Sequence, residues 1–144
     1  MRGLSKELKE YKSNLTPLTL HQKEILIGLA LGDLTIQKQT PNSDVRIKFE
    51  YTINSSEYVH HLYNTFKDRI LTPPYTKERI SKSGNLSSTW RFQTIADSEL
   101  NFLYEIFFEP FSDKKKHLPE NLIKNHLTPV GIAYWFMDDG GKLD

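Results

Sequence analysis

The chain of 144 residues contains no cysteine, which excludes disulfide bonds and thiolate metal sites. It also lacks an apolar run of the roughly 18–20 residues that a membrane-spanning helix needs, so no membrane partner is expected. The first residues have no apolar segment of the kind found in a signal peptide, and their acidic side chains argue against a mitochondrial presequence. We therefore expect the protein to act in the compartment in which it is synthesised.

The chain also has no large net charge. Its 19 Lys and Arg residues nearly balance its 18 Asp and Glu residues, and the net charge is +1 at pH 7. This balance does not by itself favour a nucleic-acid partner, but counterion release depends on local clusters of Lys and Arg and not on the total. One such cluster lies in residues 76–93, where Glu78 is outnumbered by Lys77, Arg79, Lys82 and Arg91. The hydrophobic share of 38% is ordinary for a folded domain.

An apolar segment near the N-terminus ends in a carboxylate. Thr19 followed by Gln22 forms a capping-box pattern, which predicts a helix over residues 20–32. Asp33 follows this helix directly and faces the negative end of the helix macrodipole, where a cation is favourable. A divalent metal ion would offset this unfavourable placement.

The same arrangement recurs near the other end of the chain. Thr128 is predicted as the N-cap of a second apolar helix and Pro129 as its first helical residue. This helix is expected to end at the pair Asp138-Asp139. The sequence therefore contains two apolar helices that each lead to a carboxylate.

Both helices carry small residues that would let their backbones approach each other, namely Gly28, Gly32, Gly131 and Ala133. Side-by-side packing would bring Asp33 and Asp139 together, and two adjacent carboxylates raise each other's pKa unless a cation such as Mg²⁺ binds between them. Carboxylates with a bound metal ion are suited to hydrolysis of a phosphodiester. The alternative is that each Asp caps the following turn, because Asp-Gly pairs are common in turns.

The residues between the two helices predict two hairpins, each followed by a helix. Apolar and polar residues alternate over the candidate strands 34–39, 45–52, 75–82 and 86–95, and helical patterns cover residues 54–71 and a segment that Ser98 would cap. This order predicts an α+β fold in which helices cover one face of an antiparallel sheet.

These patterns divide the chain into an N-terminal arm over residues 1–18, a first unit with the sheet over 19–127, and a second apolar helix over 128–144. The arm, with a short helix over residues 5–13, is either solvated or in contact with an acidic partner.

Residues 26–34 and 132–140 resemble the paired nine-residue motif of the LAGLIDADG homing endonucleases. The similarity extends from about Leu8 to the end of the chain, and its strongest segment is residues 133–142, AYWFMDDGGK. The first motif departs from the family consensus at Leu31, where the family name has its first Asp, but the second Asp is present as Asp33. The resemblance is to single-chain, two-motif members encoded in mitochondrial introns, and it implies a mitochondrial, organelle-encoded protein without a presequence.

This resemblance implies the αββαββα homing-endonuclease fold with a four-stranded, DNA-binding antiparallel saddle, whose second repeat is truncated here after its first helix. It implies that Asp33 and Asp139 are catalytic and bind Mg²⁺, with Mn²⁺ as an alternative. It also implies that Lys116 is a basic residue of the active site. From the residues alone, Lys116 is equally compatible with a solvated, charged link over residues 113–116.

In such a saddle, one face of the strands lies in the major groove of double-stranded DNA, where Arg and Lys suit guanine and Gln suits adenine. The alternation assigns these residues to that face: Thr35, Gln37, Gln39, Arg46, Lys48, Glu50, Lys77, Arg79, Ser81, Thr89, Arg91 and Gln93. Aromatic side chains such as Trp90 and Phe92 are expected on the opposite face.

Retention of both acidic residues favours an endonuclease that makes a double-strand cut at a long, asymmetric site. An RNA maturase that assists group I intron splicing, with intron RNA as its partner, would not need the two carboxylates. A third possibility is an inactive or split N-terminal fragment, which would bind DNA weakly and need a C-terminal half or a second subunit. The remaining alternative is an α+β domain without a nucleic-acid role.

Overall fold

The computed structural model describes residues 2–32, 34–109, 115–117 and 122–143. Its helices are α1 (Arg2–Ser13), α2 (Leu20–Ala30), α3 (Ser56–Phe66), α4 (Asn101–Phe107), α5 (Leu122–Asn125) and α6 (Pro129–Leu143). Its strands are β1 (Thr35–Gln37), β2 (Arg46–Thr52), β3 (Tyr75–Ile80) and β4 (Leu86–Gln93). Short 3₁₀ turns cover Ile53–Ser55, Lys67–Arg69 and Ser98–Leu100.

The four strands form one antiparallel sheet in the order β1-β2-β4-β3. The two hairpins therefore meet at the pair β2–β4, where Phe49 lies opposite Phe92 and Tyr51 opposite Trp90. This arrangement confirms the predicted α+β fold.

The core lies between one face of the sheet and the helices. Phe49 stacks on Phe92 with their ring centroids 4.4 Å apart, and its ring lies 6.3 Å from that of Phe66 in α3. Ile47 and Leu103 are fully buried in the same cluster. The inward residues of β2 are those that the period-two alternation of its sequence identifies. Along β3, in contrast, every residue is exposed.

Several boundaries differ from the sequence prediction. Helix α2 ends at Ala30, two residues before the predicted end, and α3 and the strands are shorter than the predicted segments. Helix α1 begins at Arg2, three residues before the predicted start. The turn before α4 is capped by Asp97, whose carboxylate accepts a hydrogen bond from the Glu99 backbone N–H at 3.2 Å, and not by Ser98. Helix α6 continues to Leu143 instead of ending at the Asp pair.

The glycines that follow the Asp pair keep a helical backbone. A glycine terminates a helix when it adopts the left-handed conformation, and Gly84 is the glycine with positive φ among the described residues. No described helix combines the length and the apolar character needed to cross a membrane.

Helix α1 is fastened to the rest of the fold by hydrogen bonds. The Tyr11 hydroxyl donates to the carbonyl of Asp68, and the next residue, Arg69, donates from Nη2 to the carbonyl of Thr16 at 2.7 Å. Arg69 is itself buried and forms a 2.7 Å salt bridge with Asp97. The segment from Tyr11 to Thr16 is therefore hydrogen-bonded to the rest of the fold.

Candidate functional site

Helices α2 and α6 pack against each other through glycine. A Cβ atom added at Gly28 would lie 2.9 Å from the Cα of Gly131 and closer still to its carbonyl oxygen. The two backbones therefore touch, as the small residues in both helices predicted. Ala133 was predicted to share this contact and does not, because its side chain is exposed.

Both helices begin as predicted. The Thr19 hydroxyl accepts a hydrogen bond from the Gln22 backbone N–H at 3.0 Å, and the Gln22 side chain accepts one from the Thr19 N–H at 2.9 Å. The Thr128 hydroxyl likewise accepts from the Gly131 N–H at 3.3 Å. These caps satisfy backbone donors that have no partner within their helix.

The ends of the two motifs meet as well. A Cβ atom added at Gly32 would collide with Oδ2 of Asp138, so the residues immediately before Asp33 and Asp139 are in contact. Asp33 itself and the side chain of Asp139 lie outside the described residues.

Lys116 lies beside the end of the first motif. Its ammonium donates hydrogen bonds to the carbonyl oxygens of Gly32, at 2.8 Å, and Leu34, at 3.2 Å. These carbonyls flank Asp33, and a cation is favourable at this end of a helix because of the macrodipole. The side chain of Lys116 is thus bound to the motif and does not point freely into solvent.

A buried polar cluster that was not predicted from the sequence surrounds the side chain of Asp138. Asp138 is buried. Burial of the Tyr51 and Tyr58 hydroxyl groups raises the pKa of both, and the nearby negative charge of Asp138 raises it further. Next to them, the Tyr134 hydroxyl lies 2.6 Å from Nε2 of His61. The sequence contained one indication of this cluster. The alternation of β2 places Tyr51 on the inward face, and a buried tyrosine hydroxyl needs a polar neighbour.

The opposite face of the sheet is polar across all four strands. Residues directly opposite each other in an antiparallel sheet share a face. The cross-strand pairs on this face are Gln37–Arg46, Thr35–Lys48, Lys48–Gln93, Glu50–Arg91, Tyr75–Arg91, Lys77–Thr89 and Arg79–Ser87. The structure therefore brings ten of the twelve residues predicted for the nucleic-acid surface onto one face of the strands. We call this the polar sheet face.

Gln39 and Ser81 lie outside the strands. Gln39 is exposed just after β1. The hydroxyl of Ser81 accepts a hydrogen bond from the Asn85 N–H at 3.1 Å and thereby helps to close the β3–β4 turn. Aromatic residues are not confined to the opposite face, because Tyr75 pairs with Arg91 and is 51% exposed. The strict separation expected from Trp90 and Phe92 fails at this edge strand, whose residues are exposed on both faces.

Two polar contacts orient long side chains on the polar sheet face. Arg91 forms a 2.7 Å salt bridge with Glu50, and Nε of Arg46 donates to the side-chain oxygen of Gln37 at 3.0 Å. Both contacts hold a guanidinium group in place on the surface, and a planar guanidinium can form paired hydrogen bonds with guanine or with phosphate.

Metal-ligand clusters are absent from the described part of the chain. No group of three or more His, Cys, Asp or Glu side chains there could hold a metal ion.

The chain has clear relatives. A family model described as the LAGLIDADG DNA endonuclease family matches residues 23–144. A protein of Wickerhamomyces canadensis named probable intron-encoded endonuclease 1 is 38% identical over 140 residues, which cover 97% of this chain and 58% of that protein. Cytochrome b mRNA maturase bI2 of Saccharomyces cerevisiae is 33% identical over 141 residues, which cover 94% of this chain and 33% of the relative.

A solved structure, the homing endonuclease I-WcaI bound to its DNA recognition sequence, matches this fold with a TM-score of 0.82 and 35% sequence identity. The match covers 92% of this chain and 56% of that one. The chain thus spans little more than half of the length of these endonucleases.

Proposed function

Because the chain belongs to the LAGLIDADG DNA endonuclease family, we propose that it is a site-specific, intron-encoded endonuclease that makes double-strand breaks by metal-dependent phosphodiester hydrolysis. The observation that carries this proposal is the contact of the joined motif ends with β2, the strand whose opposite face contributes to the polar sheet face. Asp138 of α6 contacts both Gly32 and Tyr51 of β2, so the motif ends lie next to a strand that carries DNA-reading residues. One duplex could then contact both.

In this proposal the polar sheet face occupies the major groove of double-stranded DNA. Its five basic residues, Arg46, Lys48, Lys77, Arg79 and Arg91, share the face with one acidic residue, Glu50. Gln37 and Gln93 supply the amide groups that form paired hydrogen bonds with adenine. The local excess of positive charge attracts the phosphate backbone although the whole chain is nearly neutral.

Asp33 and Asp139 would hold Mg²⁺, with Mn²⁺ as an alternative. Two carboxylates fit this ion, because Mg²⁺ binds one or two protein carboxylates and takes its other ligands from water and substrate phosphates. When bound, the ion would activate water and neutralise charge on the leaving oxygen. The glycine contact between α2 and α6 would fix the distance between the two acids. Lys116, held at the carbonyls on both sides of Asp33, would place an ammonium group near the scissile phosphate.

The catalytic part is tested with cleavage of a randomised duplex library in Mg²⁺. The chain is assayed alone and with the C-terminal remainder of the Wickerhamomyces canadensis relative supplied as a second polypeptide, since this chain covers 58% of that protein. We expect Asp33→Asn and Asp139→Asn to abolish cleavage and to preserve DNA binding. The exposed Asp68 provides the control Asp68→Asn, which should cleave as the parent does. Cleavage that survives Asp33→Asn would refute the assignment.

The relative named cytochrome b mRNA maturase makes assistance of intron splicing the second candidate function, with intron RNA as the partner. Filter binding separates the two, because an endonuclease should prefer its target duplex and a maturase the folded intron. The names of the relatives also support a gene within an organelle intron, and we propose a mitochondrial location. Subcellular fractionation with an antibody against the chain tests it.

A further inference from the structure

A cleft of about 540 Å³ separates α1 from the end of the sheet. Lys12 of α1 lines one side, and Gln39, Arg46 and Gln93 contribute polar groups from the sheet side. The lining contains two cations and no Asp or Glu among the described residues. Arg46 and Gln93 also belong to the polar sheet face, so the cleft continues that face beyond the strands.

Charge is segregated around α1. Leu8 and Tyr11 lie on the side that contacts the protein, since Leu8 lines the cleft and Tyr11 bonds to the Asp68 carbonyl. With 3.6 residues per turn, Lys12 and Lys9 fall on one side of this contact. The acidic residues Glu7 and Glu10 fall on the other side. The basic side is the one that borders the cleft.

The end of α1 that carries Lys12 is anchored, and the charge of Lys12 is not neutralised by a described carboxylate. The hydrogen bonds of Tyr11 and of Arg69 tie the C-terminal end of α1 and the residues that follow it to the fold. No described carboxylate lies within salt-bridge distance of Lys12. A cation that extends from this anchored end and shares a cleft with a second cation, Arg46, is suited to bind an anion.

We infer that this cleft binds the phosphate backbone of the DNA that lies on the polar sheet face, with Lys12 and Arg46 on its two sides. The inference rests on the proposed function, because a duplex must occupy the sheet for its backbone to reach the cleft. Phosphates border the major groove, so a protein that fills the groove with a sheet meets the backbone at the edge of that sheet. Phosphate contacts set position and carry no direct sequence information. Lys12 therefore contributes to the affinity for DNA and to the position of the protein along the duplex, and not to the choice of bases.

The test is the salt dependence of binding to a fluorescein-labelled random-sequence duplex, measured by anisotropy with the full chain. Each phosphate contact contributes about 0.9 to the slope of log K against log salt. Lys12→Ala should reduce the slope by about that amount, so its loss of affinity should be roughly three- to fourfold larger at ~50 mM than at ~200 mM salt. Lys12→Arg should restore the slope.

Lys6→Ala is the matched control, because Lys6 lies on α1, is exposed and does not line the cleft. It should leave the slope unchanged. Selection from a randomised library should yield the same preferred bases for Lys12→Ala as for the parent. Arg91→Ala should alter them, because Arg91 lies on the polar sheet face and does not line the cleft. Melting curves confirm that the variants fold.

The outcomes separate this inference from the proposed function. If Lys48→Ala weakens binding but Lys12→Ala does not change the slope, the cleft does not bind phosphate and the function stands. If Lys6→Ala lowers the slope as much as Lys12→Ala, α1 acts through diffuse charge and the cleft is again refuted. A parent chain that binds no DNA overturns both.

Discussion

Replacement of Gly28 by alanine tests the contact on which the paired-helix site depends. The added Cβ atom would lie 2.8 Å from the carbonyl carbon of Gly131 and 2.9 Å from its Cα, whereas optimal contacts between carbon atoms are about 3.5–4.0 Å. These atoms belong to the backbone, so no rotamer change relieves the overlap. The helices must separate by roughly 1 Å.

The cost follows from two opposing effects. Overpacking of an interior costs about 1–3 kcal/mol, and we take about 3 kcal/mol because rigid backbone is involved. Alanine is better than glycine in a helix interior by about 1 kcal/mol. The net loss is therefore about 2 kcal/mol, which corresponds to a decrease in melting temperature of roughly 4–8 °C for a domain of this size.

Calorimetry or circular dichroism measures this decrease, and Gly84→Ala serves as the control. Gly84 has φ of +87° and nothing within 4 Å of an added Cβ, so its substitution costs about 1–2 kcal/mol through backbone strain alone. In the complemented cleavage assay, a 1 Å shift of the acids should reduce the rate about 100-fold. Gly84→Ala should reduce it little. A Gly28→Ala variant as stable as the parent would refute the packing of α2 on α6.

Two further predictions concern stability. Arg69→Ala leaves the buried carboxylate of Asp97 uncompensated and should cost about 3–5 kcal/mol in urea unfolding, whereas the exposed Arg79→Ala should stay within about 0.5 kcal/mol. Burial raises the pKa of Tyr51 in the folded protein. Above the ordinary tyrosine pKa of about 10, only the unfolded chain loses the hydroxyl proton of Tyr51, so the free energy of unfolding should fall as the pH rises above about 10. Tyr51→Phe should reduce the slope of the free energy of unfolding against pH by up to about 1.4 kcal/mol per pH unit. The control Tyr75→Phe, at an exposed position, should leave this slope unchanged. Equal slopes in the parent and both variants would contradict the role of burial.

Several features of the fold could be predicted because they depend on residues close together in the chain. The Thr19–Gln22 capping box and the Thr128 cap are three-residue patterns, and the structure contains both. The alternation in β2 identified both the buried residues and the polar ones, since successive side chains of a strand point to opposite faces. The same periodicity placed most of the proposed DNA-reading residues on one face.

Predictions from local patterns were wrong where contacts with residues distant in the chain decide the structure. The second apolar helix was expected to end at the Asp pair, but α6 continues because the backbone of the glycines that follow remains helical. Ala133 was expected at the helix contact by its size, yet its direction around the helix leaves it exposed.

The sequence by itself determined which residues are available for the chemistry: two apolar helices that lead to Asp33 and Asp139, and strands with one polar face. Only the tertiary structure decided how these parts meet. Gly28 touches Gly131, Lys116 binds the carbonyls of Gly32 and Leu34, and Lys12 lines the same cleft as Arg46. The physical reason is that periodicity and capping depend on a few adjacent residues, whereas these contacts join residues that lie far apart in the chain and meet only when the elements pack.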